Sequence, residues 1–314
     1  MKIKKGFFIV FMLVSSILFS QEIIPIDTSY TVQNSFEKYK KNFPEIKIVK
    51  PQLFENVIEK KEIVYKEIGT RRLHLDVFYN KSEQLKPAVI LVHGGGWKSG
   101  NKSHMEPLAQ KIASNGYACF TVEYRLSLEA IYPEGIFDIK RAIQFIKANA
   151  AEFKIDAEKV AILGCSSGGQ MAALIGTTNN NLTFEDLENV YNQSSSVQVI
   201  IDLDGVIAFI HPKSSEGAMA GEWLGGNSEE KLETWLQASA LTHTNKNTPP
   251  ILFINSQYER FHAGRDDMIK ILDGYGIYSQ VETIPESPHT FWLFHPWFNK
   301  TAEYIINFLE KTLK

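Results

Sequence analysis

Five short, nearly continuous apolar runs constrain what this chain can fold into: Ala88–Val92, Ala118–Val122, Val160–Leu163, Val199–Leu203 and Ile251–Ile254. Runs of this kind fit strands covered on both faces, as in a parallel sheet. Helical patterns lie between them. Ile136, Ile139, Ile143 and Ile146 recur at spacings of three and four and form one apolar stripe. Pro133 stands near the start of that helix, where a missing N–H is harmless. Arg72–Tyr79 alternates apolar and polar residues, which predicts a half-exposed strand. Strands and helices alternating in this way predict a doubly wound, mostly parallel α/β sheet with helices on both faces.

A chain of 314 residues is long enough for one such domain with a sizeable core. Residues 1–20 stand apart from it. Lys2, Lys4 and Lys5 precede the short apolar run Gly6–Phe19, the pattern of a signal peptide. The run is too short for a comfortable membrane span. Export to the periplasm or beyond is therefore expected, with no stable membrane association once the segment is removed. Residues 21–60, interrupted by Pro25, Pro44 and Pro51, read as an N-terminal arm, partly helical around Ser35–Asn42. Residues 61–314 read as the α/β domain. An insertion over about 205–248, rich in polar residues and glycine, is expected to form loops and short helices along one wall of the site.

The net charge of -3 would become -6 on loss of the three lysines in residues 1–20, which argues against a nucleic-acid partner. Cys119 and Cys165 lie in apolar surroundings and read as buried free thiols rather than a disulfide scaffold. No Cys/His cluster has zinc spacing, so no metal is expected.

The chemistry is carried by Gly164-Cys165-Ser166-Ser167-Gly168, which follows one apolar run and precedes a helical one. G-x-S-x-G between strand and helix is a nucleophile elbow, with Ser166 as the nucleophile. A second glycine-rich segment, His93-Gly94-Gly95-Gly96-Trp97, directly follows the run Ala88–Val92. Its backbone can approach a substrate without side-chain obstruction. Gly95 and Gly96, joined by the N–H of Ser167, are candidate oxyanion donors. Serine needs a base. His289, on a loop after the last strand-like run, holds the C-terminal position that the order Ser…acid…His requires. His295 is the rival, inside an aromatic stretch that reads as packing. The acid is expected beyond Ile251–Ile254, which favours Glu259. Asp266, Asp267, Asp202 and Asp204 are the alternatives. Arg260, His262 and Arg265 on the same loop are candidate substrate-binding residues, since guanidinium pairs bidentately with carboxylate. Trp97 is a further one.

The segments His93–Trp97, Tyr132–Phe153, Gly164–Gly169 and Trp223–Gly226 resemble bacterial α/β-hydrolase esterases of the BD-FAE and hormone-sensitive-lipase-like type. The resemblance runs from about Val64 to the C-terminus. It implies the α/β-hydrolase fold and carboxylester hydrolysis through Ser166, an acid and His289, without metal or organic cofactor. Two departures stand out. Where the family has His-Gly-x-x-Asp, this chain has Asn255-Ser256-Gln257-Tyr258-Glu259, which supports Glu259 by position but replaces Asp. Cys165 stands where Glu or Asp is common. Arg260–Asp266 and Pro288–Trp297 resemble exported esterases of plant or algal polysaccharides, which implies acetyl, methyl or feruloyl esters on a carbohydrate, and the arginines would suit an acidic sugar. A serine peptidase of the same fold and a non-catalytic carbohydrate-binding relative are the other readings. A dipeptide anilide assay and fluorophosphonate labelling, respectively, separate them from an esterase.

Overall fold

The computed structural model describes residues 27–314, save 187 and 189. The segment 1–20 read as a signal peptide lies outside the described residues. In chain order, α1 (Val32–Tyr39) and the short β1 (Lys47–Ile48) precede β2 (Val57–Ile68), β3 (Arg71–Asn80), β4 (Lys86–Val92), α2 (Glu106–Ala113), β5 (Ala118–Val122), α3 (Glu134–Ala148), α4 (Ala150–Phe153), β6 (Ile155–Cys165) and α5 (Ser167–Thr177). Then follow β7 (Val199–Leu203), α6 (Ala218–Leu224), α7 (Leu232–Gln237), α8 (Ala240–His243), β8 (Ile251–Asn255), α9 (Arg265–Tyr275), β9 (Ser279–Thr283), β10 (Phe294–His295) and α10 (Trp297–Leu313).

Eight strands form one sheet in the order β2-β3-β5-β4-β6-β7-β8-β9. The pairings β2–β3 and β3–β5 are antiparallel, and all the others are parallel. All five apolar runs are strands of this sheet. Their side chains divide between two cores. One core packs α3 and α5 against the sheet through Ile136, Ile139, Met171 and Leu174. The other packs α2 and α10 through Leu108, Ile112, Ile305 and Leu309. Helices thus cover both faces, which is why the central strands carry apolar residues on both. Tyr30, Val32 and Phe36 of the arm pack against the second core, and β1 pairs with β10.

The strand over Arg72–Tyr79 departs from its expected half-exposure. It lies inside the sheet between β2 and β5. Its apolar face, Leu73, Leu75 and Val77, is fully buried. The other face is covered from Asp76 onward, while Arg72 at its start is exposed and His74 half-buried. Asp76 is buried there because the Lys102 ammonium donates to it at 2.6 Å and the Glu62 amide at 2.8 Å. His74 is held by Glu123, whose carboxylate also accepts from its backbone N–H. At Asp76 the polar position records an internal ion pair rather than contact with water.

The insertion after β7 forms three short helices, and its aromatics are core. Trp223 is 1% exposed, stacks on Trp97 at 5.2 Å with the rings 13° apart, and meets the edge of Tyr132 at 5.1 Å. Burying an indole this completely ties the insertion to the loop after β4. Trp223→Ala should therefore cost about 3–5 kcal/mol of unfolding free energy, read as a lowered urea midpoint. A loss below about 1 kcal/mol would show that the insertion is not anchored through this ring.

Candidate active site

The strand order decides where the loops meet. β4, β6 and β7 are adjacent and parallel, so the segments following Val92, Cys165 and Leu203 emerge side by side at one sheet edge. Such an edge, at the carboxyl ends of the strands, is where open α/β sheets place their sites.

Ser166 occupies the turn between β6 and α5 with φ 55° and ψ -122°, a conformation that side chains rarely adopt. Its neighbours make the turn possible. A Cβ on Gly164 would lie 1.9 Å from the Gly168 carbonyl oxygen, and one on Gly168 would lie 2.3 Å from the Val92 carbonyl oxygen. Only glycine fits both places. The Ser166 N–H donates to the Leu203 carbonyl at 2.8 Å, pinning the turn to the end of β7. As the first residue of α5, Ser167 has no intrahelical acceptor for its own N–H. The amides of Gly95 and Gly96 likewise donate to no backbone carbonyl among the described residues. Gly95, Gly96, Ser166 and Ser167 line one cavity of about 290 Å³.

His289 meets Ser166. The Ser166 hydroxyl donates to its Nε2 at 2.9 Å. Its Nδ1–H donates to Asp204 Oδ2, also at 2.9 Å, which fixes the tautomer. Phe261 stacks on the imidazole at 3.7 Å, with 7° between the planes, and Trp292 meets it edge-on at 5.4 Å. The ring is held on both the polar and the apolar side.

Asp204, the first residue after β7, is fully buried. Its second oxygen accepts from the Ser256 N–H at 2.7 Å and from the Asn255 amide at 3.4 Å. A buried carboxylate needs such partners. Asn255 and Ser256 therefore explain the unusual sequence after β8: that strand end supplies donors to the acid rather than the acid itself.

The preferred acid, Glu259, is a correction. It is solvent-exposed on a short helical turn and makes no bond to His289. Among the alternatives, Asp266 pairs with Arg265 and Lys213, and Asp267 with His211. Asp202 is buried, and burial pushes its carboxyl well above the ordinary range, opposed by the hydrogen bond it accepts from the Gly205 N–H and reinforced by the neighbouring Asp204 charge. Of the five acids weighed, Asp204 alone is brought to His289.

Two of the four substrate-binding candidates do not reach the cavity. Arg265 donates to Asn255 Oδ1 at 2.8 Å and to Asp266, so it braces the acid's support from behind. His262 donates through Nε2 to the Ser256 carbonyl at 3.0 Å and braces the same loop. Arg260 does line the cavity, half-exposed over the Phe261 ring. Trp97 also borders it, but is 3% exposed and spends its indole N–H on Gln170, so it backs the wall without presenting a face. His295 pairs in β10 and contacts Phe298, away from the nucleophile. Sequence reasoning passed over Phe261, Glu216, Met219 and the arm residues Tyr30, Asn34, Lys38 and Tyr39, all of which line the cavity. The arm's share carries no sequence signal, because the packing of a loose segment is set by tertiary contacts.

The cysteines Cys119 and Cys165 are buried free thiols, and burial pushes both up in pKa, which leaves them inert. Among the described residues no cluster of His, Cys, Asp or Glu is arranged to hold a metal, and no helix is long and apolar enough to cross a membrane.

Comparison with known proteins matches the BD-FAE family model to residues 75–269, more than half of the chain. The chain belongs to the BD-FAE family. This BD-FAE protein is 27% identical to the probable carboxylic ester hydrolase LipM of Mycobacterium tuberculosis, over 72% of its own length and 52% of that protein's. It is 26% identical to the esterase LipC of the same organism, over 68% and 53%. The chain thus spans about half the length of the curated relatives it matches. A truncated carbohydrate esterase from gut microbiota superposes with a TM-score of 0.67 at 20% identity, covering 83% of this chain and all of that one. Esterase 2 of Thermogutta terrifontis gives 0.68 at 21% identity, covering 82% and 94%. These structures establish the α/β-hydrolase fold.

Two histidines near the site carry a pH dependence. Burial lowers His93 to about 3 and His104 to about 4, from an ordinary 6.5. His93 stacks on Tyr124, and His104 meets Tyr30 edge-on. Both rings stay neutral in the fold at pH values where the unfolded chain binds protons. Their contribution to stability is therefore present above about 6.5 and is lost as pH falls toward 4. His104→Phe, which cannot take up that proton, should gain stability relative to the parent between pH 7 and pH 5 in urea titrations. A relative stability independent of pH would contradict the assignment.

Proposed function

We propose that this protein is a serine carboxylester hydrolase that removes acetyl, methyl or feruloyl groups from oligo- or polysaccharides outside the cytoplasm. The observation that carries the reading is the unbroken line Ser166–His289–Asp204, with both hydrogen bonds at 2.9 Å, opening on a cavity. The esterase names of the curated relatives and the carbohydrate esterase among the structural neighbours support it.

In the first step Ser166 Oγ bonds to the acyl carbon while its proton passes to His289 Nε2. Asp204 keeps the imidazole in the right tautomer and stabilises its charged form. The negative charge developing on the former carbonyl oxygen falls to the N–H groups of Gly95, Gly96 and Ser167, and one such donor is typically worth about 10²–10³ in rate. The alcohol leaves with the proton from Nε2. Water then attacks the acyl-enzyme, giving its proton to His289, and the acid is released as Ser166 regains its hydrogen. No step calls for a metal.

The test is release of acetate, methanol and ferulate from a panel of decorated polysaccharides, with a dipeptide anilide alongside. Ester cleavage without anilide cleavage is expected, and Ser166→Ala should lower kcat by roughly 10⁴–10⁶-fold. Full activity in the alanine variant would sink the mechanism.

A further inference from the structure

The outer wall of the cavity holds a pair that the triad does not use. Glu216 lines it with its side chain 12% exposed; its Oε1 is shut off from solvent and has no hydrogen-bond partner among the described residues, and its second oxygen is not enclosed in this way. The nearest cation, Arg260 Nη2, stands 3.8 Å away, too far for a hydrogen bond. Among the described residues Arg260 in turn donates only to the Ser215 hydroxyl, through Nη1 at 3.5 Å, and it lies on the Phe261 face with its centre 4.3 Å from the ring centroid. A nearly buried carboxylate and a guanidinium thus line the same cavity, each with unused hydrogen-bonding capacity.

The two demands select a chemistry. A group placed there must donate to Glu216 and accept from Arg260. A substrate carboxylate only accepts and would be repelled by Glu216. An ammonium only donates and would be repelled by Arg260. An alcohol hydroxyl does both at once. The acidic sugar suggested by two arginines is therefore disfavoured, since Arg265 is spent elsewhere and Arg260 has Glu216 beside it. The pair shares its cavity with Ser166 and His289, and with Asn34 and Lys38 of the arm. That arm lies outside residues 75–269, the span matched by the family model.

We infer that Glu216 and Arg260 determine specificity by binding a hydroxyl on the alcohol half of the ester, so that the substrate is an ester of a polyol ring rather than of an apolar alcohol. The inference rests on the esterase reading above. A site built to hydrogen-bond a hydroxyl discriminates strongly against an analogue that lacks it.

The experiment compares kcat/KM for a mono-acetylated methyl xyloside with that for cyclohexyl acetate, a ring of the same size without hydroxyls. The parent should favour the sugar ester. Glu216→Ala should lower the sugar-to-cyclohexyl ratio at least tenfold, mainly through KM, and Glu216→Gln, which keeps an acceptor, should restore part of it. A ratio changed less than twofold in Glu216→Ala, or a glutamine variant no better than alanine, overturns the inference. A parent that cleaves neither ester and takes no fluorophosphonate removes the esterase reading instead. The pair is then judged by saturation-transfer NMR of methyl xyloside. Loss of the signal in Glu216→Ala upholds it, and an equal signal in both proteins refutes it.

Discussion

The parallel pairing of β4, β6 and β7 brings the backbone of three loops to one edge, and the site is a consequence of that pairing. Leu203 accepts the Ser166 N–H, and the next residue, Asp204, accepts from His289. Ser166 and Asp204 are thus one hydrogen bond and one peptide unit apart through the backbone. The positive φ of Ser166 is sustained by that bond and by glycines that admit neighbouring carbonyls. Nothing in the turn is stable in isolation. The sheet holds it, and the sheet is held by apolar cores on both faces.

Around this frame, support is layered. Arg265 orients the Asn255 amide, Asn255 and Ser256 hold one oxygen of Asp204, Asp204 holds His289, and His289 accepts from Ser166. Phe261 and Trp292 restrict the imidazole from its apolar sides. Each member leaves the next fewer orientations, which is how a site remains preorganised without further binding energy.

Much of this was legible in the sequence, for identifiable reasons. Continuous apolar runs read as strands because a parallel sheet leaves no wet face. The elbow read clearly because its glycines answer to a steric demand. His289 followed from chain order. The acid was misplaced because order alone does not say which neighbouring strand carries it: the tip of β8 fits Glu259 by count, yet that carboxylate turns to solvent while its strand donates to Asp204. Arg265 and His262 looked like ligands for the same reason, since a sequence shows that charges cluster but not that they are already spent on one another. The arm's part in the cavity had no pattern to reveal it.

The central claim is that Asp204 orients the catalytic imidazole. It is tested most directly by steady-state kinetics of Asp204→Asn beside Glu259→Gln on one acetyl ester. The account expects Asp204→Asn to lower kcat by on the order of 10⁴, as loss of a triad carboxylate does elsewhere, with Glu259→Gln within about twofold of the parent. A large loss in Glu259→Gln with Asp204→Asn near parental activity would contradict it.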